Sequence, residues 1–184
     1  MFIFKKHKSL SALLLIPIFS FQLIGQTDST ITRKKFYYVQ QQSLSMLSGW
    51  SVLNLCLSPV LSNNFKNPES REDHFHLGNF NWNLMNLGIS GFSHYSVYRK
   101  SQKNWSISEM TEQKRKVERA IVINIGLDLL YVLGGFALKY AASKNQNLDP
   151  ATYHGNGNSL ILQGGYLLFY DAIFVKRLKK IRFR

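Results

Sequence analysis

Residues 78–95 read GNFNWNLMNLGISGFSHY, and within them Asn79, Asn83, Asn86, Ser90 and His94 recur at spacings of four, three, four and four. At 100° per residue these five positions occupy one helical arc of about 80°. An amide in hydrocarbon needs a hydrogen-bond partner, so the arc must face other helices or water rather than lipid. The segment is therefore predicted to be a helix with a polar inward side and an apolar outward side.

Three further apolar segments, at residues 43–61, 120–141 and 159–175, have lengths close to a helical bilayer crossing, as does this one when taken over 78–98. The chain has 184 residues, about one domain's worth, and its 45% hydrophobic content is too high for disorder. Its net charge of +13 is unevenly distributed. Residues 99–119 carry Arg99, Lys100, Lys103, Lys114, Arg115, Lys116 and Arg119 against Glu109, Glu112 and Glu118, and the chain ends in KRLKKIRFR. The connections at 62–77 and 143–158 are not basic in this way: the first holds Lys66 and Arg71 against Glu69, Glu72 and Asp73, the second Lys144 against Asp149. Charge that alternates from one connection to the next follows from membrane insertion, which retains Lys and Arg on the cytoplasmic side. It assigns the 99–119 loop and the C-terminus to the cytoplasm and the loops around His74, His76 and His154 to the other side.

Residues 1–26 combine a basic start (Lys5, Lys6, Lys8) with an apolar run interrupted by Pro17, which reads as a signal peptide or an uncleaved leader. Cleavage would deliver residue 27 to the outer side, and four crossings would then put both basic clusters outside. The two clusters outweigh the leader in setting orientation. The expected division is a leader at 1–26, a basic linker at 27–42, a helical membrane domain at 43–176 and a basic cytoplasmic tail at 177–184.

The other helices repeat the inward polar side. The first offers Ser51, Asn54 and Ser58, the third Asn124, Asp128, Tyr131 and Gly135, and the fourth Gln163, Gly164 and Asp171. A carboxylate at the centre of a span costs about 2.5–3.5 kcal/mol on insertion scales and must be neutralised, paired or wetted. Asp128, Asp171 and His94 are thus expected to form one buried cluster with Asn54, Asn83, Asn86, Asn124 and Gln163 as partners. It serves either proton or cation movement or simple interhelical adhesion.

Other chemistry is weakly indicated. His74, His76 and His154 could share a side and bind a metal such as zinc, but their spacing is not diagnostic. GNGN at 155–158 lacks the full phosphate-binding fingerprint and reads as a turn before the fourth helix, capped by Asn158. Cys56 is expected to be an inert buried thiol, and a single Cys excludes an internal disulfide. No GxSxG occurs, so the chain is read as non-enzymatic and without cofactor. The basic clusters, with Trp105 and Phe183 beside them, sit next to spans and are assigned to anionic lipid rather than nucleic acid. Residues 106–119, with Ser108 ahead of Glu112, read as a helix start continuous with the third span.

Gly49-Trp50 with Asn54, the set His76, Asn79, Trp82, Asn83 and Asn86, then Glu118, Asn124, Gly126-Leu127-Asp128 and Tyr131, and finally Gly155, Gly157, Gln163-Gly164 and Asp171 complete the pattern. In this order they resemble an uncharacterised family of small bacterial membrane proteins, over about residues 40–176. The resemblance implies a four-helix membrane protein and brings no reaction, ligand or partner. The expectation is an all-α, four-helix transmembrane bundle of two helical hairpins in a bacterial inner membrane, a non-enzymatic assembly or scaffold component. A homo-oligomer or a membrane-protein partner would accompany that role. A small proton-coupled transporter and a secreted soluble helical bundle are the alternatives.

Overall fold

In the computed structural model, which describes residues 28–183, four helices follow one another: α1 (Asp28–Leu61), α2 (Arg71–Ser101), α3 (Ile107–Lys144) and α4 (Pro150–Lys179). No strand occurs among the described residues. The proposed leader at 1–26 lies outside them. Each helix is longer than its apolar segment. The stretch expected as a linker already belongs to α1, where Phe36, Tyr37 and Val39 are buried.

Local chemistry sets the helix starts. Ser70 accepts from the backbone N–H of Asp73 while Asp73 returns a bond to Ser70, a capping box. Ser106 and Glu109 form the same device at α3, two residues upstream of a Ser108–Glu112 start, and the helix does run unbroken through the third apolar segment. At α4 the cap is Asp149 with Pro150 behind it. GNGN therefore lies inside the helix, which corrects the reading of a turn capped by Asn158. Proline at the first helical position and an acidic cap begin the helix earlier than the apolar pattern does.

The two hairpin pairs, α1–α2 and α3–α4, make the most extensive contacts; α2 also packs along α4, and α1 barely touches α3. The helices thus pack in the order α1, α2, α4, α3, with α1 also reaching α4. Packing of α3 on α4 depends on missing side chains. A Cβ on Gly135 would lie 2.5 Å from the Gly157 carbonyl oxygen, and one on Gly164 would lie 2.9 Å from that of Asp128. By contrast Gly88, Gly91, Gly134 and Gly165 face open space.

The two ends differ. Where α1 turns into α2, Asp73 accepts hydrogen bonds from Ser62 Oγ (2.6 Å), Ser70 Oγ (2.7 Å) and the N–H groups of Asn63 (2.8 Å) and Asn64 (2.9 Å). These bonds hold its carboxyl well below the usual carboxylate range. At the opposite end Phe36, Leu178 and Ile181 are fully buried, and Phe183 meets Phe36 edge-on at 5.7 Å. The C-terminal segment is docked on α1 rather than trailing as a tail. Because the helices alternate in direction, this end also collects the basic residues on either side of the 102–106 connection and those after Val175.

Gly164→Ala forces the Asp128 backbone away and is expected to lower unfolding stability by about 1–3 kcal/mol. Gly165→Ala, in open space one residue on, should be neutral or slightly stabilising. Thermal melting of the two variants compares them directly. Asp73→Ala should raise the rate of proteolytic cleavage within residues 62–70. In the parent chain the depressed folded pKa means that the Asp73 contribution is present above an unfolded pKa of about 3.9 and fades as pH falls through the folded value. Protection of this loop should therefore fail on acidification, and an acid-stable protease reads it.

Candidate functional site

Polar side chains occupy the inside of the bundle. Ser51, Asn54 and Ser58 of α1, Asn79, Asn83, Asn86 and Ser90 of α2, Asp128 of α3, and Ser159, Gln163 and Asp171 of α4 are all buried. Val60, Phe92, Leu130, Leu133 and Phe169 are among the large apolar residues that point outward, with Phe92 75% exposed and Asn83 wholly covered. The polar arc of α2 lies inward as its spacing predicts, with His94 half-buried at its end.

The centre of the interior is a hydrogen-bonded chain across three helices. Trp50 Nε1 of α1 donates to Gln163 Oε1 of α4 at 3.0 Å, and Gln163 Nε2 donates to Asn79 Oδ1 of α2, also at 3.0 Å. Ser159 Oγ donates to the same Asn79 oxygen at 3.0 Å. The Trp50 indole stacks on the Tyr166 ring, centroids 4.0 Å apart and 8° from parallel, so the α1–α4 contact has an aromatic and a polar edge together. Nearer the basic end, Ser48 donates to Ser90 at 2.9 Å.

The expected eight-residue cluster divides. Asp128 lies level with Gly164, whereas Asp171 sits seven residues further along α4, about 10 Å of rise. Their charges sense each other without a hydrogen bond between them. His94 joins neither, because its Nδ1 pairs with Gln41 of α1 and its carbonyl accepts from Gln41 Nε2 at 3.3 Å. Asn54 and Asn83 donate to carbonyls of their own helices, those of Trp50 and Asn79. Asn124 is exposed: it lies between the buried positions Ile121 and Asp128 of α3 but to one side of the narrow line they form. Cys56 is likewise exposed, on the apolar outer side of α1, which corrects its reading as a buried thiol. Among the described residues, the buried atoms Asn83 Oδ1, Asn86 Nδ2 and Asp128 Oδ2 have no hydrogen-bond partner, nor has Glu118 Oε1, which is ion-paired with Lys114 at 3.1 Å.

Sequence reasoning placed Gln163 in the site but left out Trp50, Asn79 and Ser159, the residues that Gln163 joins. The i,i+4 pair Ser159–Gln163 was the available signal, since it puts a hydroxyl and an amide on one face of α4. The three histidines do not converge. His74 Nε2 is 3.0 Å from Thr152 Oγ1, and no group of three His, Cys, Asp or Glu among the described residues is placed to hold a metal ion.

Asn79→Ala removes an acceptor shared by Ser159 and Gln163 and should cost about 1–3 kcal/mol, as should Gln163→Ala. The double variant should lose less than the sum of the two, because they share one bond. Unfolding of the four proteins in a double-mutant cycle measures the difference.

Two helices, Thr30–Leu61 and Ile107–Lys144, are long and apolar enough to cross a membrane. No curated protein and no solved structure matches the chain. A family described as a family of unknown function, DUF6992, has a sequence model that matches residues 46–172, from α1 to Asp171 and its neighbour in α4. That range spans the whole polar interior except its outermost members near the basic end, and the chain belongs to this family.

Proposed function

We propose that this chain is a four-span integral protein of a bacterial inner membrane that works as a non-enzymatic assembly component. The observation that carries the reading is the inverted distribution of side chains: amides, hydroxyls and two carboxylates inside, Leu, Ile, Val and Phe outside. In water such a bundle would hide its polar groups at a desolvation cost while leaving its apolar area wet. In lipid the same distribution satisfies both solvents. α2 and α4 owe their weaker hydropathy to Asn79, Asn83, Asn86, Asn156, Gln163 and similar residues, several of which are turned away from the surface. The single basic end gives the orientation, with the 102–106 connection and the C-terminus cytoplasmic. Outward-facing Gly126 and Gly134 leave room on α3 for a neighbouring helix, from a second copy or another membrane protein.

A second reading, a small proton-coupled carrier, is favoured by one feature: Asp128 Oδ2 is buried without a partner, which interhelical adhesion does not require. Asp128→Asn at unchanged expression would abolish proton-linked flux in a carrier and leave an assembly component intact.

Alkaline carbonate extraction and reporter fusions test the membrane reading. The protein should stay with the membrane, with fusions after Lys103 and Arg184 reporting the cytoplasm and a fusion after Asn147 the opposite side. Recovery of the chain as a monodisperse water-soluble protein would overturn it. Gly134→Leu should release a partner that the parent chain retains, without unfolding the bundle.

A further inference from the structure

At the basic end a cleft of about 490 Å³ opens between the start of α1, the start of α3 and the segment that follows α4. Arg33 and Lys35 line it from α1, Lys180 and Arg182 from the C-terminal segment. None of these four cations is in an ion pair among the described residues, whereas Lys114, Arg115 and Lys116 on α3 are each engaged with Glu112 or Glu118. The carboxylate of Glu109, next in sequence to the lining residue Met110, is held by the Ser106 N–H and hydroxyl, both at 2.8 Å, and is turned to capping α3.

The lining is not uniformly polar. Met110 and Ile181 are buried beneath the cleft, and Trp105 and Phe183 form part of its wall. The Trp105 indole is fixed by a 2.8 Å bond from its Nε1 to the Lys100 carbonyl. Arginine and lysine suit a phosphate, and an aromatic and aliphatic floor suits the glycerol and first methylenes behind it. A free inorganic anion would have no use for that floor. The volume also fits a headgroup-sized ligand.

From these groups we infer that the cleft is a binding site for the headgroup of an anionic phospholipid, held by Arg33, Lys35, Lys180 and Arg182. The inference rests on the membrane reading in one respect, since that reading puts this end of the bundle at headgroup depth. It accounts for the docking of the C-terminal segment: Leu178 and Ile181 anchor it on α1, which brings Lys180 and Arg182 opposite Arg33. Two pieces of chain distant in sequence thereby supply the cations, and the start of α3 adds the wall of Trp105 and Met110.

The test uses the full chain in a nonionic detergent and short-chain phosphatidylglycerol or phosphatidylcholine as probes, with adducts counted by native mass spectrometry. Phosphatidylglycerol should be retained preferentially, and the triple variant Arg33→Gln, Lys180→Gln, Arg182→Gln should weaken its retention at least tenfold. The triple variant Lys100→Gln, Arg115→Gln, Lys116→Gln, which removes equal charge elsewhere at the same end, should retain the parent's preference. Helicity by circular dichroism checks that both variants fold, and Arg182→Gln alone should give an intermediate loss. Equal retention of the two lipids, equal loss in both triple variants, or full displacement of lipid by inorganic phosphate would each overturn the proposal. Failure of the membrane reading is separately visible, as release of the chain by carbonate.

Discussion

The bundle depends on seams one residue wide. Along α3 the buried positions Ile121, Asp128, Gly135 and Ala142 recur every seven residues, and along α2 Asn79 and Asn86 form one such line and Asn83, Ser90 and Val97 another. A helix buried along a strip this narrow cannot be held by apolar area, because most of its apolar area faces away. Cohesion comes instead from backbones brought close where Gly135 meets Gly157, and from interhelical bonds such as Gln163 to Asn79. Bonds of this kind contribute roughly 0.5–1.5 kcal/mol each, so several must act together. The consequence is an asymmetry between positions. Gly157 and Asn79 have little freedom, whereas Leu130 and Phe92 need only remain apolar.

Outside that zone the physics changes. At the basic end Phe36, Leu178 and Ile181 form a conventional apolar core, with Tyr37 donating to the Met110 sulfur across the α1–α3 gap. This is the one region where α1 and α3 are drawn together, and it is also where the chain is most charged. An apolar core ringed by Arg and Lys is what a water-facing end requires. The opposite end has no such core and is closed by a single carboxylate, Asp73, which ties down the connection between α1 and α2. The molecule thus has a polar-cored middle, an apolar-cored basic end and a hydrogen-bonded cap.

This division explains what could be read from sequence. Helix number, the all-α class and the inward faces of α1 and α2 were legible because both the 3.6-residue period and the polar spacing point to the same side. Residues 27–42 were misread as a linker because Lys and Arg interrupt their apolar pattern, although Phe36, Tyr37 and Val39 keep a buried face. The start of α4 was misplaced because Gly and Asn are turn residues by propensity, and only the α2 and α3 backbones pressed against Gly155 and Gly157 reveal why a helix carries them there. Asn124 failed for a different reason. Periodicity gives the direction of a face but not how narrow the buried line on it is, and Asn124 lies just beside the line of Ile121 and Asp128.

The residue that adhesion leaves unexplained is Asp128. Asn79, Gln163, Ser90 and the close-packed glycines all do what an interhelical contact needs, and their neutral groups are inexpensive to bury once paired. An Asn at position 128 would fill almost the same volume, could both donate and accept, and would avoid burying an ionisable group. Asp128 gains none of this: one of its oxygens has no partner, and the nearest charge of concern, that of Asp171, has the same sign. Two carboxyls of like sign along the α3–α4 seam repel each other when both are ionised, which opposes stability instead of adding to it. Burying an ionisable group with one oxygen left open is a cost that interhelical contact does not offset, so the α3–α4 seam beside Gly164 differs in kind from the hydrogen-bonded centre around Asn79.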